Sequence, residues 1–234
     1  MSIMHRRLVV LSLLPLGLAP LRAQDRSTAS LVQYVIGRTP ILIPSPAGFL
    51  ETSRRAPDLW RAAALGPQAG GALVLAHFLP DSDIKALESG RTISVRQYML
   101  VQLPKAAEHA IATQAQFNSL RSGTAEMQRN LATQLEPQLA AALARISGDL
   151  SKAKAADIQL SVGEMVPVSV DRNEPNVFVY TFLAKVSRTE SGATEHIPTV
   201  CTFAYCFAKG KLFMLAGYKE FKSPRDIQAS RSVV

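Results

Sequence analysis

Residues 176–218 read NVFVYTFLAKVSRTESGATEHIPTVCTFAYCFAKGKLFMLAGY. Three apolar runs stand out in this stretch: Val177–Val186, Ile197–Ala208 and Lys211–Tyr218. The first two are joined by the polar, glycine-containing segment from Ser187 to His196, the last two by Lys209-Gly210 alone. A two-residue link containing glycine is a hairpin turn, because glycine accepts φ > 0 there. The stretch is therefore an antiparallel meander. In its middle strand Cys201, Phe203, Tyr205 and Phe207 share one face and Val200, Thr202, Ala204 and Cys206 the other. Neither face is charged, so the sheet is expected to be covered on both sides over part of its area. The small residues of the second face leave room for an Ala-rich helix to approach closely.

Working back from the meander, Ile158–Val170 reads as a strand, with Gly163 and Pro167 marking an edge or bulge. Thr124–Leu150 is the longest helical pattern, with Leu131, Leu135, Leu139, Ala142, Ile146 and Leu150 on one stripe. Pro137 inside it predicts a kink. A helix is expected from Pro104 to Leu120, broken by Ser122-Gly123. Before it come strands at Ile41–Ile43, Ala72–Leu79 and Thr92–Gln102, a helix over Pro57–Leu65 and a short helical turn over Asp81–Leu87. After the meander, Ser223-Pro224-Arg225-Asp226 combines an N-cap, a proline at the first helical position and an acid in the first turn. The order predicts an α+β fold. A largely antiparallel sheet carries helices packed on it, ending in a C-terminal β-meander and a short terminal helix.

Met1–Ala23 reads as a secretory signal peptide: Arg6 and Arg7, an apolar Leu8–Leu21, then a small residue at Ala23. The apolar run falls short of the roughly 20 residues that span a bilayer, and Pro15 and Gly17 interrupt it. An uncleaved anchor is the alternative. The arginine pair leaves twin-arginine export open beside the general secretory route. No cysteine lies near Ala23, which excludes a lipoprotein anchor at that point. Residues 24–234 are read as one globular domain, periplasmic or secreted, with a loose start over Gln24–Ser30.

The whole chain carries 26 bases and 18 acids, net +8; without residues 1–23 the excess is +5. From Lys209 onward Lys209, Lys211, Lys219, Lys222, Arg225 and Arg231 face only Glu220 and Asp226, so most of the excess lies in this tract. Lys209 and Lys211 flank the hairpin tip, where exposure is expected. Lys209, Lys211, Lys219, Lys222 and Arg225 are thus the candidate partner-binding residues, toward an envelope protein or an anionic envelope component. The bland alternative is a solvated face in which lysines protect a sheet edge. No nucleic-acid partner is expected.

Chemistry-bearing residues are sparse. His77 lies on a face with Leu73, Leu75 and Leu79 and reads as a packed histidine; His109 falls on the predicted helix and His196 in the polar loop. None has a metal-ligand spacing, so no metal or cofactor is expected, and no nucleophile elbow, phosphate loop or dinucleotide fingerprint occurs. Cys201 and Cys206 are five apart on one strand, on opposite faces and about 16 Å apart at a strand's rise, too far for a disulfide. A hydrolase using His196 and Cys201, or a carboxylate pair such as Asp171 and Glu174, is the alternative to a non-enzymatic reading. Asp81 and Asp83 suit a helix N-terminus.

The early strand followed by Pro46-Ala47-Gly48-Phe49, a helix, the strand Ala72–Leu79, and then a helix, meander and terminal helix together resemble the PsbP-like superfamily and related small exported bacterial domains. The resemblance is one of element order over most of the mature chain. It implies a non-catalytic accessory or binding domain and carries over no functional residue. The helical stretch Lys105–Leu150 is an addition to the simplest form of that fold.

Overall fold

The structure is a computed structural model that describes residues 31–134, 158–190 and 193–234. The leader, the Gln24–Ser30 segment, the Pro137 kink and the second half of the long helical pattern lie outside the described residues. In chain order the elements are β1 (Leu31–Ile36), β2 (Thr39–Pro44), β3 (Phe49–Glu51), α1 (Pro57–Ala69), β4 (Ala72–Pro80), α2 (Asp81–Glu88), β5 (Gln97–Pro104), α3 (Gln114–Gln134), β6 (Ile158–Glu174), β7 (Val177–Glu190), β8 (Ala193–Ala208), β9 (Lys211–Glu220) and α4 (Pro224–Arg231). Seven strands form one antiparallel sheet in the order β3-β4-β5-β9-β8-β7-β6, and β1 and β2 form a separate hairpin. This is the α+β architecture expected from the sequence, with its C-terminal meander and short terminal helix.

The Lys209-Gly210 link is a two-residue turn with φ of 51° and 73°. Two consecutive positive φ values define a type I′ turn, whose twist matches the strands it joins. The strands beside the first turn run further than the apolar pattern. Ser187 pairs with His196, Arg188 with Glu195 and Thr189 with Thr194, so most of the polar connection is ladder. Polar residues continue a strand once the register is set, and apolar alternation cannot reveal such an extension.

The two faces of the sheet are covered differently. On the aromatic face Phe117 of α3 meets Phe178, Tyr180 and Phe182, while Ala64 of α1 sits over Val74, Leu100 and Ala216. On the opposite face the hairpin packs Ile36, Ile41 and Ile43 against Phe78, Met99, Val101 and Phe213. Among the described residues the small-residue face of β8 is not met by an Ala-rich helix. It receives α4 and the residues after it: the Thr202 and Ser230 hydroxyls are 2.9 Å apart, and a Cβ placed on Gly217 would fall 2.8 Å from Val234 Cγ2. Gly217 and Thr202 make this close approach possible. The alanines of α1 serve the same purpose on the aromatic face, above Ala216.

The helix expected over Pro104–Leu120 is present only from Gln114. Pro104 closes β5, Lys105–Ala107 make one 3-10 turn, and α3 starts at Gln114 and runs through Ser122-Gly123. Tertiary bonds compete with helix formation here: the Ala112 N–H donates to the Gly210 carbonyl at 2.8 Å. Thr113 then starts α3 with a reciprocal box, its Oγ1 accepting from Gln116 N (3.2 Å) and Gln116 Oε1 from Thr113 N (2.8 Å). The strand expected from Thr92 begins only at Gln97. The terminal helix follows expectation, with a full capping box between Ser223 and Asp226. The backbone N–H groups of Lys222 and Ser223 and the Lys219 ammonium hold the Asp226 carboxyl below the usual carboxylate range.

Candidate functional site

His196 and Cys201 stand on one strand, β8, with an odd spacing that places them on opposite faces about 16 Å apart. Cys201 is buried, and burial pushes its thiol up to about 12; a nucleophilic thiolate needs the reverse. The pair therefore forms no catalytic site. Cys206 is likewise pushed up to about 12 by burial, and neither sulfur is in a disulfide. Asp171 is engaged in the sheet by Ser169, Thr181 and Arg231, and Glu174 is exposed. Asp81 and Asp83 occupy the first turn of α2. Among the described residues no cluster of three or more metal-ligating side chains occurs.

His77 is packed, as expected, but not on the face of Leu73 and Leu75: the register of β4 shifts between Val74 and Ala76, so those leucines pack with the hairpin-side cluster while His77 pairs with Leu100 on the aromatic face. The histidine is 3% exposed, its Nδ1 lies 3.0 Å from Thr52 Oγ1, and its ring meets Tyr98 edge-on at 5.7 Å. Burial lowers it to about 4. In the unfolded chain it titrates near its ordinary value of 6.5, so between these values the unfolded state binds more protons. Its contribution is complete above pH 6.5 and is lost as the pH falls toward 4. The expected loss is about 3 kcal/mol. Denaturant unfolding at a series of pH values should show this slope, and His77→Gln should flatten it.

The basic tract does not form one surface. Lys209 is exposed at the turn and its Nζ donates to the Pro40 carbonyl at 3.1 Å. Lys211 is not exposed, against expectation: it is 4% exposed, and its Nζ donates to the carbonyls of Glu108 (2.9 Å) and Ala110 (2.8 Å). Lys219, Lys222 and Arg225 lie at or beyond the far end of β9, about 27 Å from Lys211 at a strand's rise. There Lys219 lies 3.5 Å from Asp226 and Lys222 3.3 Å from Glu220, while Arg225 is exposed. Lys211 is thus a buried clasp on the segment before α3. Lys211→Met should leave two carbonyls without their donor and cost about 1–3 kcal/mol. Faster amide exchange confined to residues 108–113 would be its local signature, and unaltered exchange there would count against the clasp.

The surface with the clearest chemical character was not among the sequence candidates. β1 and β2 turn Val32, Tyr34, Ile36, Ile41 and Ile43 toward the sheet. Their outer face carries Leu31, Val35 and Leu42, exposed to 63%, 56% and 56%. Cross-strand pairs on that face are Leu31 with Pro44, Gln33 with Leu42 and Val35 with Pro40. Arg38 stands exposed at the tip, and Lys209 lies beside Pro40. The sequence signal was two apolar runs split by Gly37-Arg38. With both faces apolar, the alternation that marks an inner and an outer side is missing.

Among the described residues no helix is long and apolar enough to cross a membrane. No protein-family model, no curated protein and no solved structure matches the chain.

Proposed function

We propose that the chain is an exported, non-enzymatic binding domain of the accessory type, periplasmic or secreted, that meets an envelope partner through the outer face of the β1–β2 hairpin. The observation that carries this reading is the co-facial exposure of Leu31, Val35 and Leu42. Three large aliphatic side chains left together in water mark a contact surface rather than scattered exposure. The leader read at Met1–Ala23 supports the location outside the cytoplasm. The resemblance of its element order to PsbP-like domains supports the accessory role. The separation of His196 from Cys201 and the raised thiol of Cys201 speak against the hydrolase alternative.

The test is capture from envelope extract by the wild-type chain and by a Leu31→Ser/Val35→Ser/Leu42→Ser variant. These positions are exposed, so each substitution should change the unfolding free energy by no more than about 0.5 kcal/mol. Loss of capture by the folded variant is expected. Equal capture by both chains would move the contact surface elsewhere on the molecule.

A further inference from the structure

We infer that the occupant of the hairpin's outer face is an anionic lipid surface, an inference that rests on the binding reading above. From Leu31 to Leu50 the chain contains no acid and a single base, Arg38. The outer face has Leu31, Val35, Leu42, Pro40 and Pro44, with uncharged Gln33 at its centre. Cations stand at its tip end: Arg38 in the turn, and Lys209, whose Nζ reaches the carbonyl of Pro40 on that face. His109 lies beside the same turn, since its Nδ1 is 3.2 Å from a Cβ built on Gly37. Glu108 lies beside this group, its Oε2 3.9 Å from His109 Nε2.

An apolar face bordered by cations is the pattern of a shallow interfacial contact, in which aliphatic side chains enter the headgroup boundary while bases stay among the anionic headgroups. The chemistry of a protein interface is less well met. Such interfaces are anchored by aromatic side chains and bury roughly 800 Å² on each partner. This face carries no aromatic residue, and its three exposed aliphatic side chains cover roughly a few hundred Å². A fluid apolar phase needs neither a pocket nor shape complementarity.

The experiment compares cosedimentation of the full chain with vesicles of phosphatidylglycerol in phosphatidylcholine and with vesicles of phosphatidylcholine alone. An apolar leader would bind both kinds alike, so the readout is the excess on anionic vesicles. That excess is expected for the wild type, should shrink with added salt, and should vanish in Leu31→Ser/Val35→Ser/Leu42→Ser. Arg38→Gln/Lys209→Gln should weaken it about 25-fold, from about fivefold per cation. A second measurement does not depend on the triple variant folding. Gln33→Cys introduces an exposed thiol at the centre of the face, whereas Cys201 is buried and Cys206 half-buried, and burial pushes both thiols up to about 12. An environment-sensitive dye on it should shift to the blue on anionic vesicles only. No anionic excess, or an unshifted dye, would overturn the lipid assignment. If the triple variant still loses capture of an envelope protein in that case, the binding reading survives with a protein as partner. If capture is also unchanged, both fall.

Discussion

Asp171→Ala is expected to lower the thermal midpoint by about 6–12 °C, corresponding to about 3 kcal/mol for a domain of this size. Asp171 lies on β6 at the sheet's edge. Its Oδ1 is 2.9 Å from Arg231 Nε, in an ion pair too bent to count as a hydrogen bond, and accepts from Ser169 Oγ at 2.7 Å; Oδ2 accepts from Thr181 Oγ1 at 2.5 Å. Arg231 also donates to Ser169 through Nη2. From Thr181 the chain of hydroxyls continues to Thr202 at 3.1 Å and on to Ser230 at 2.9 Å. Removing the carboxylate strips two hydroxyls of their acceptor and leaves a guanidinium, 29% exposed, without its counter-ion. Breaking a shielded pair by deleting one partner costs more than the pair itself is worth. Asp171→Ala/Arg231→Ala should therefore lose less than the sum of the single changes, a coupling of about 1–2 kcal/mol by calorimetry. A single-site loss under about 1 kcal/mol would mean that solvent already screens the pair.

Phe117→Ala is expected to cost about 4 kcal/mol. Phe117 is fully buried, its ring is 5.8 Å from that of Phe207, and Arg121 lies over it at 5.9 Å. Among the described side chains of α3 it is the one fully buried hydrophobic. Leu120 packs partly against the same cluster, and polar ties flank it: Arg121 Nη1 donates to the Glu174 carbonyl at 2.7 Å and Gln114 Nε2 to that of Pro175 at 2.6 Å. The denaturant midpoint should fall with the slope unchanged, and proteolysis within α3 should accelerate. Phe117→Leu should cost less than about 1.5 kcal/mol. If both variants lose the same amount, the ring's contacts rather than the volume it fills dominate.

The meander was legible because three apolar runs are set apart by a polar segment and a two-residue glycine turn, all of them local signals. The terminal helix was legible for the same reason: Ser223, Pro224 and Asp226 define its start within four residues. Where the sequence misled, the deciding contact was distant. Pro104 looked like a helix start, but the carbonyls of Glu108 and Ala110 go to Lys211 on another strand. Lys211 looked solvated beside a turn, yet those same carbonyls bury it. That β9 would separate Lys209 from Arg225 could have been read from strand length alone. The hairpin face could not, because Leu31, Val35 and Leu42 look no different in sequence from the Val32, Ile36 and Ile43 that they back.

The strand order has a kinetic consequence. β3, β4 and β5 are neighbours along the chain, and so are β6, β7, β8 and β9, but among the described residues the strand ladder joins the two groups only where residues 97–102 pair with residues 214–219. Each group can form by closing short loops. The seam between them requires a long closure, whose entropy must be met before any of its contacts form. Refolding should therefore produce two half-sheets early and join them late. Until they join, β5 and β9 each expose an unpaired edge to other copies of the chain. Losses to aggregation should then scale with protein concentration during that interval, and pairing of the seam should end them.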